Sequence, residues 1–369
     1  MKIVTVVGAR PQFVKAAAVS RKLREQHTEI LVHTGQYHDY EMSVTFYDGL
    51  DVPTPDVILG VGSGSHADQT GAMLKAIEYL LLKERPDWLL VYGDTNSALA
   101  GAMAASKVAI PVAHIEAGLR SFNRRMPEEI NRVVTDHLST LLLCPSDTAV
   151  RNLAAEGITQ RVHVVGDVML DILNWAAERA QARPTRPSRP PEILDRLGVT
   201  EKAYVVATVH RSANTEGRSR LWRILGAFDA LGEPVLFAVH PRTRQIINEA
   251  QWQPKPHVHL IDPVRYLDMV TLTASARLVL TDSGGLQKEA YWLAVPCITL
   301  RDETEWVETV DSGWNTLAGA DTDKIVHAVR TFVPPDSRPI LYGDGSAADR
   351  CVDLLGHEVQ LDDGHAVSA

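Results

Sequence analysis

Cysteine is scarce in this 369-residue chain: Cys144, Cys297 and Cys351 are the only three, an odd number with no C-x-x-C pair. That excludes a disulfide framework and a cysteine-rich metal cluster, and makes a reducing compartment, the cytoplasm, the expected location. Long apolar runs are missing too. No stretch approaches the roughly 20 apolar residues that a membrane-crossing helix needs, and the short apolar run after Lys2 meets Gly8 and Arg10 too soon for a signal-peptide core. Nor is there a long lysine or arginine run. With a formal net charge of −9, neither nucleic acid nor an anionic membrane finds the positive field that it requires. An anionic small ligand would have to be met by local donors. A complete dinucleotide fingerprint is also lacking: Gly60-Val-Gly-Ser-Gly-Ser65 has serine where G-x-G-x-x-G needs its third glycine, so no nicotinamide cofactor is expected. Ser65-His-Ala-Asp68 reads instead as a cap opening a helix.

What is present is a near-unbroken alternation of short β-branched runs with amphipathic helical patterns, the signature of parallel sheets covered by helices on both faces. The first series of strands is expected at 2–7, 29–33, 88–92, 111–115, 140–144 and 162–165. A second series is expected at 204–209, 234–239, 258–261, 278–281 and 297–300. The length allows two α/β domains, here 1–168 and 169–345, each a Rossmann-like doubly wound sheet. The Pro/Arg-rich segment 182–191 can propagate neither helix nor central strand and reads as an exposed connector. Residues 356–369 carry little periodicity and read as a frayed, disordered tail.

In open α/β sheets ligands bind beyond the carboxyl ends of the strands, and the residues there are polar. The first strand is followed by Gly8-Ala-Arg10-Pro11-Gln-Phe-Val-Lys15, where a turn glycine, a proline at a helix start and two cations favour an anion. The strand at 88–92 delivers Gly93-Asp94-Thr95, with Asp94 a candidate helix cap or a functional acid. The strand at 111–115 delivers Glu116, a carboxylate at a buried strand end that folding alone explains poorly. Glu128 and Arg132 share one helix face at i,i+4 and could be a surface pair or part of a site. His114-x-Glu116 imitates a metal pair, but no third ligand is spaced to complete it, and no metal site is expected. In the second half His210-Arg211 and His240-Pro241-Arg242 each end a strand, which favours phosphate contact. Thr281-Asp282-Ser283-Gly284-Gly285 leads a strand into a helix whose free N–H groups and dipole can hold a diphosphate. Glu289 lies one turn deeper on that helix, placed to accept hydrogen bonds from a ribose diol.

These segments together resemble the non-hydrolysing UDP-N-acetylglucosamine 2-epimerase family. The resemblance runs through Gly8-Ala-Arg-Pro-Gln-Phe-Val-Lys15, Gly93-Asp-Thr95, His114-Ile-Glu-Ala-Gly-Leu-Arg120, Pro127-Glu-Glu-Ile-Asn-Arg132, Thr208-Val-His-Arg211, Asp282-Ser-Gly-Gly285 and Arg301-Asp-Glu-Thr-Glu305. The opening motif, Asp262-Pro-Val264 and Thr304-Glu-Trp306 look most like a branch that also includes epimerases of UDP-2,3-diacetamido-glucuronic acid. The resemblance implies a GT-B-like α/β fold, two Rossmann-like domains facing a cleft, a C-terminal helix near 346–355 returning to the first domain, a homodimer, and a UDP-sugar as substrate. The catalytic set it points to is Asp94, Glu116, Glu128 and His210. Arg10, Lys15, Arg132, His240, Ser283, Gly284, Gly285 and Glu289 are the expected substrate-binding set. Two departures from the family pattern, Tyr37 followed by His38 and Ala213, put activation by the enzyme's own substrate in doubt.

The C2 hydrogen of an acetamido sugar has no adjacent carbonyl to acidify it. Loss of the diphosphate from C1 must therefore come first or together with proton removal, giving a 2-acetamidoglucal to which a proton and UDP return. Two faces require two proton carriers, which the three acids can supply. A hydrolysing epimerase and a GT-B glycosyltransferase are the rival enzymes, and a nucleotide-sugar sensor the non-enzymatic rival.

Overall fold

The computed structural model describes residues 1–36, 53–182, 192–216 and 218–365. The chain divides into two compact units, Met1–Asn174 with Tyr342–Ala369, and Trp175–Leu341. Each contains one all-parallel sheet with helices between its strands, the pair of Rossmann-like parts that makes a GT-B-like chain.

In the first unit the strands are β1 (Lys2–Val7), β2 (Thr28–His33), β3 (Val57–Ile58), β4 (Trp88–Tyr92), β5 (Val112–Ile115), β6 (Leu141–Cys144) and β7 (Val162–Val164), in the order β3-β2-β1-β4-β5-β6-β7. Strand order reverses between β1 and β4, which pair in register Val4 to Leu89. The carboxyl ends of those two strands therefore flank the crevice where such sheets bind ligands. Both faces of the sheet are covered, so the strands read as continuous apolar runs: Ile3, Val4, Val6, Val7 and Leu89, Leu90, Val91 have no exposed surface. Each such side chain contributes roughly 1.5–3 kcal/mol of apolar burial.

The second unit repeats the plan with β8 (Val205–Thr208), β9 (Val235–Ala238), β10 (Val258–Ile261), β11 (Leu278–Thr281), β12 (Cys297–Thr299) and β13 (Asn315–Leu317), in the order β10-β9-β8-β11-β12-β13. Here the reversal lies between β8 and β11, paired at Val206 and Val279. The sequence patterns locate eleven of the strands in these two sheets; β3 and β13 escape them, because two or three residues at a sheet edge carry no readable alternation.

Ser65 caps the helix His66–Glu84, accepting from the Asp68 amide, and Gly60 and Gly62 adopt the positive φ that the preceding loop needs. The closing helix, Ala347–His365, runs past Leu355 into the stretch read from the sequence as tail. It packs on the first unit. Leu355 and Cys351 are fully buried there, Lys22 pairs with Asp349 at 2.9 Å, and Arg350 Nη1 donates to the Val165 carbonyl at 3.1 Å. The connector at 183–191, Tyr37 and His38 lie outside the described residues, as does the side chain of Arg10. Among the described residues no helix is long and apolar enough to cross a membrane.

Candidate active site

At the β1 end of the first unit, Gly8 stands where nothing larger fits: a Cβ there would lie 2.0 Å from Ser97 Oγ and 2.3 Å from Thr34 Oγ1. Its amide donates to Gln12 Oε1 at 2.8 Å. Gln12 also donates to the Tyr92 carbonyl and to Thr95 Oγ1, so it ties the ends of β1 and β4 together. The glycine is there for close approach.

Three residues further along the same helix, Arg10–Gln26, Lys15 forms an ion pair with Glu116. Burial works against the ammonium, but the charge and hydrogen bond of Glu116 outweigh it, with Asp167 and Asp94 adding to the effect, and hold the Lys15 pKa above its ordinary value. Glu116 follows β5 directly and has φ 71°, a left-handed conformation rare for a residue with a side chain. Gly93, which follows β4, keeps its own left-handed turn at φ 60°, and a Cβ there would lie 3.0 Å from Glu116 Oε2 and 3.5 Å from Lys15 Nζ.

Asp94 does not cap the alanine-rich helix Asn96–Lys107. Thr95 takes that role, accepting from the Ala98 amide at 3.2 Å, which leaves the Asp94 carboxylate to pair with Arg132. The helix Pro127–Leu138 supplies this partner, and its buried face is charged where an apolar stripe is the usual arrangement. Glu129 accepts from the backbone amides of Ser121 and Phe122 at 2.9 Å each and from Arg132 at 3.2 Å. Asn131 donates to the Asp94 carbonyl, and Asp136 bonds His114, Gly118 and Arg120. Glu128 sits half-buried in the first turn of the same helix. The first unit thus gathers Lys15, Asp94, Glu116 and Arg132 into two linked ion pairs.

In the second unit, Asp282 is fully buried at the end of β11 and reaches across the reversal to the end of β8. It accepts from the amides of His210 and Arg211 at 3.0 Å each and from Asn214 Nδ2 at 3.0 Å, while His210 Nδ1 stands 3.3 Å from Oδ1. Ser283 caps the helix Gly284–Trp292 through the Leu286 amide, so its side chain is partly spent on folding. His240 likewise caps Pro241–Glu249, accepting from the Arg242 amide, and its ring lies 5.9 Å from that of His210. Glu289 accepts from the Tyr266 hydroxyl at 3.0 Å.

The space over Gly284 is bounded by Trp306 and Glu305: a Cβ would meet Trp306 Nε1 at 2.7 Å and Glu305 Oε1 at 2.9 Å. Lys288, 1% exposed, holds its ammonium 3.5 Å from the Trp306 ring centroid, and Arg301 donates to Glu305 Oε2 at 2.8 Å. Past the end of β10 a cavity of about 400 Å³ is lined by Leu197, Ile261, Asp262, Pro263, Val264 and Arg265. The next residue, Tyr266, is the partner of Glu289.

Several of these residues are silent in the sequence pattern. Asp282 and Glu305 occur in the motif segments yet carry no role there, and Tyr266 carries no signal at all. Glu129, Arg132 and Asp136, spaced at i, i+3 and i+7, were the available hint: three charges on the face that a packed helix normally reserves for apolar side chains.

The sequence profile of the UDP-N-acetylglucosamine 2-epimerase family matches residues 21–356. The chain is 50% identical to a UDP-N-acetylglucosamine 2-epimerase homolog of Methanococcus maripaludis, over 96% of this chain and 99% of that one. It is 47% identical to the UDP-2,3-diacetamido-2,3-dideoxy-D-glucuronate 2-epimerase of Pseudomonas aeruginosa, with the same coverage. Among solved structures, the Methanocaldococcus jannaschii UDP-GlcNAc 2-epimerase in complex with UDP-GlcNAc and UDP superimposes with a TM-score of 0.89 at 38% identity, over 97% of this chain and all of that one. With its two doubly wound sheets and these whole-length likenesses, the chain belongs to the UDP-N-acetylglucosamine 2-epimerase family.

Proposed function

We propose that this enzyme inverts C2 of a UDP-linked 2-acetamido sugar, interconverting UDP-N-acetylglucosamine and UDP-N-acetylmannosamine. The observation that carries the reading is the paired arrangement of Asp94 with Arg132 and Glu116 with Lys15 at the carboxyl ends of β4 and β5. Two carboxyl groups held in fixed positions by their own cations are what proton removal from one face and proton return to the other require. Glu128 is the third acid of the set.

In the proposed reaction the C1–O bond breaks, its electron pair leaving on the diphosphate, while a carboxylate takes the C2 proton. The product is a 2-acetamidoglucal beside UDP. A carboxylic acid then returns one proton to the opposite face of C2 and the diphosphate oxygen re-adds to C1. In the second unit, the amides at the start of Gly284–Trp292, with Ser283 and His210, would take up the charge of the departing diphosphate. Arg10 and His240 belong to the same binding set. Glu289, oriented by Tyr266, would accept from the ribose diol, and the cavity beyond β10 would take the base. The proposal includes a cytoplasmic homodimer; the buried free thiols of Cys144, Cys297 and Cys351 support a reducing location.

A second substrate, UDP-2,3-diacetamido-glucuronic acid, is favoured by one observation: identity is 47% to the epimerase named for it and 38% to the UDP-GlcNAc enzyme of known structure. Each sugar is incubated separately in deuterated water and the product read by NMR. Epimer carrying deuterium at C2 is the expected result for the true substrate. Free sugar plus UDP would establish the hydrolysing reaction instead, and epimer without solvent deuterium would end the elimination route. Asp94→Asn, Glu116→Gln and Glu128→Gln should each lose about 10²–10⁴-fold in turnover; near-normal rates in all three would sink the proposal.

A further inference from the structure

His114 lies inside β5 with no exposed surface, and its ring is bonded at both nitrogens. Nδ1 faces Asp136 Oδ1 at 2.7 Å and Nε2 faces the Gly93 carbonyl at 2.8 Å. A carboxylate and a carbonyl can only accept, so both bonds form together only when the ring donates from both nitrogens. Asp136 is equally enclosed. Its Oδ2 accepts from the Gly118 amide at 3.1 Å and from Arg120 Nη1 at 2.6 Å. Burial opposes ionisation of Asp136, but the hydrogen bonds and charges of His114 and Arg120 outweigh it and hold the carboxyl below its usual range.

A continuous chain of bonds therefore runs from the Gly93 carbonyl through His114 and Asp136 to the Gly118 amide. It passes beneath two turns, one leading into Asp94 and the other opening with Glu116. Gly118 lies close against Ala149, whose carbonyl oxygen a Cβ would meet at 2.4 Å, and its own carbonyl accepts from Asn152 Nδ2 at 2.9 Å. Glu116 is in a left-handed conformation, which is sustained only where the surroundings over-determine the backbone.

We propose that His114 and Asp136 form a buried positioning pair that sets the spacing of Asp94 and Glu116. The inference rests on the C2 chemistry proposed above, in which those two acids act on the sugar. Neither member of the pair reaches the substrate: both are enclosed in the first unit, and they act through the backbone of the two acid-bearing turns.

The test uses the full-length enzyme and the variants His114→Gln, Asp136→Asn and their combination. A displacement of about 1 Å at reacting groups costs on the order of 10²-fold. Each single variant should therefore lose about 10- to 100-fold in kcat, while KM for the UDP-sugar and Kd for UDP stay within about threefold. The double variant should be no slower than the slower single, because the two residues act as one device. In the wild-type enzyme, side-chain nitrogen NMR should show both His114 ring nitrogens protonated. Unchanged kcat in folded variants, additive losses in the double variant, or a bare ring nitrogen in the wild type would each overturn the pair. Should the variants not fold, the wild-type spectrum still decides. Failure of the C2 chemistry is separable: there the Asp94 and Glu116 variants themselves would keep their turnover.

Discussion

Lys15 and Glu116 hold each other at the end of β5 with only 11% and 9% of their side chains exposed. The sequence offers Lys15 to a phosphate; the fold gives it a carboxylate. A cation assigned to substrate binding is thereby also the partner of a proposed catalytic acid.

Removing the ammonium from beside Glu116 should cost both stability and rate. Lys15→Met is expected to lower unfolding stability by about 3–5 kcal/mol, the range for breaking a buried pair, and to reduce kcat along with it. The Lys15→Met/Glu116→Gln double variant should recover most of the urea midpoint while remaining inactive. Recovery of turnover in the double variant would show that the pair only stabilises the fold.

Gly93→Ala places a methyl group 3.0 Å from Glu116 Oε2 on a residue with φ 60°. The left-handed backbone alone costs roughly 1–2 kcal/mol, and the methyl must also displace Glu116 or Lys15. Turnover should fall more than stability predicts, with UDP affinity little changed. Steady-state kinetics beside a UDP titration separate the two effects.

Gly284→Ala should act on the other side of the reaction. Its methyl would meet Trp306 Nε1 and Glu305 Oε1 inside 3.0 Å, and neither can swing away: Lys288 lies over the indole and Arg301 holds the carboxylate. Overpacking of this kind costs about 1–3 kcal/mol. Calorimetric UDP affinity is expected to drop by about tenfold or more, given 1.4 kcal/mol per decade. An unchanged affinity would remove the helix start from the nucleotide site.

Asp171 accepts from the Ala347 and Ala348 amides at 3.2 and 2.8 Å, where the closing helix docks on the first unit. Burial raises its carboxyl to about 6 from an ordinary 3.8. Between those values the folded chain binds more proton than the unfolded chain, so stability falls as pH rises through that window. The loss is complete above the upper value and amounts to about 3 kcal/mol at 1.36 kcal/mol per unit. Asp171→Asn, which cannot ionise, should be more stable than wild type at pH 7, little different at pH 4, and flatter between. Denaturant midpoints across that range check the slope.

The legible part of the fold is its periodic part. Strands β1, β4 and β11 fall where their apolar runs place them, because a strand buried on both faces must be apolar at nearly every position. The short edge strands β3 and β13 have no such signature. Likewise the motif segments reveal Asp94, Glu116 and Ser283 as polar residues at strand ends, but not what each side chain touches.

The sequence by itself determined the two parallel sheets, their alternation with helices, and the acids and glycines delivered at the strand ends, since these follow from the local spacing of apolar and turn-forming residues. Only the tertiary structure decided which cation meets which acid. Lys15 lies 101 residues from Glu116, Arg132 38 from Asp94 and Asp136 22 from His114. Such pairs depend on sheet order and on which elements meet at the strand ends, and no periodicity within a single segment encodes either.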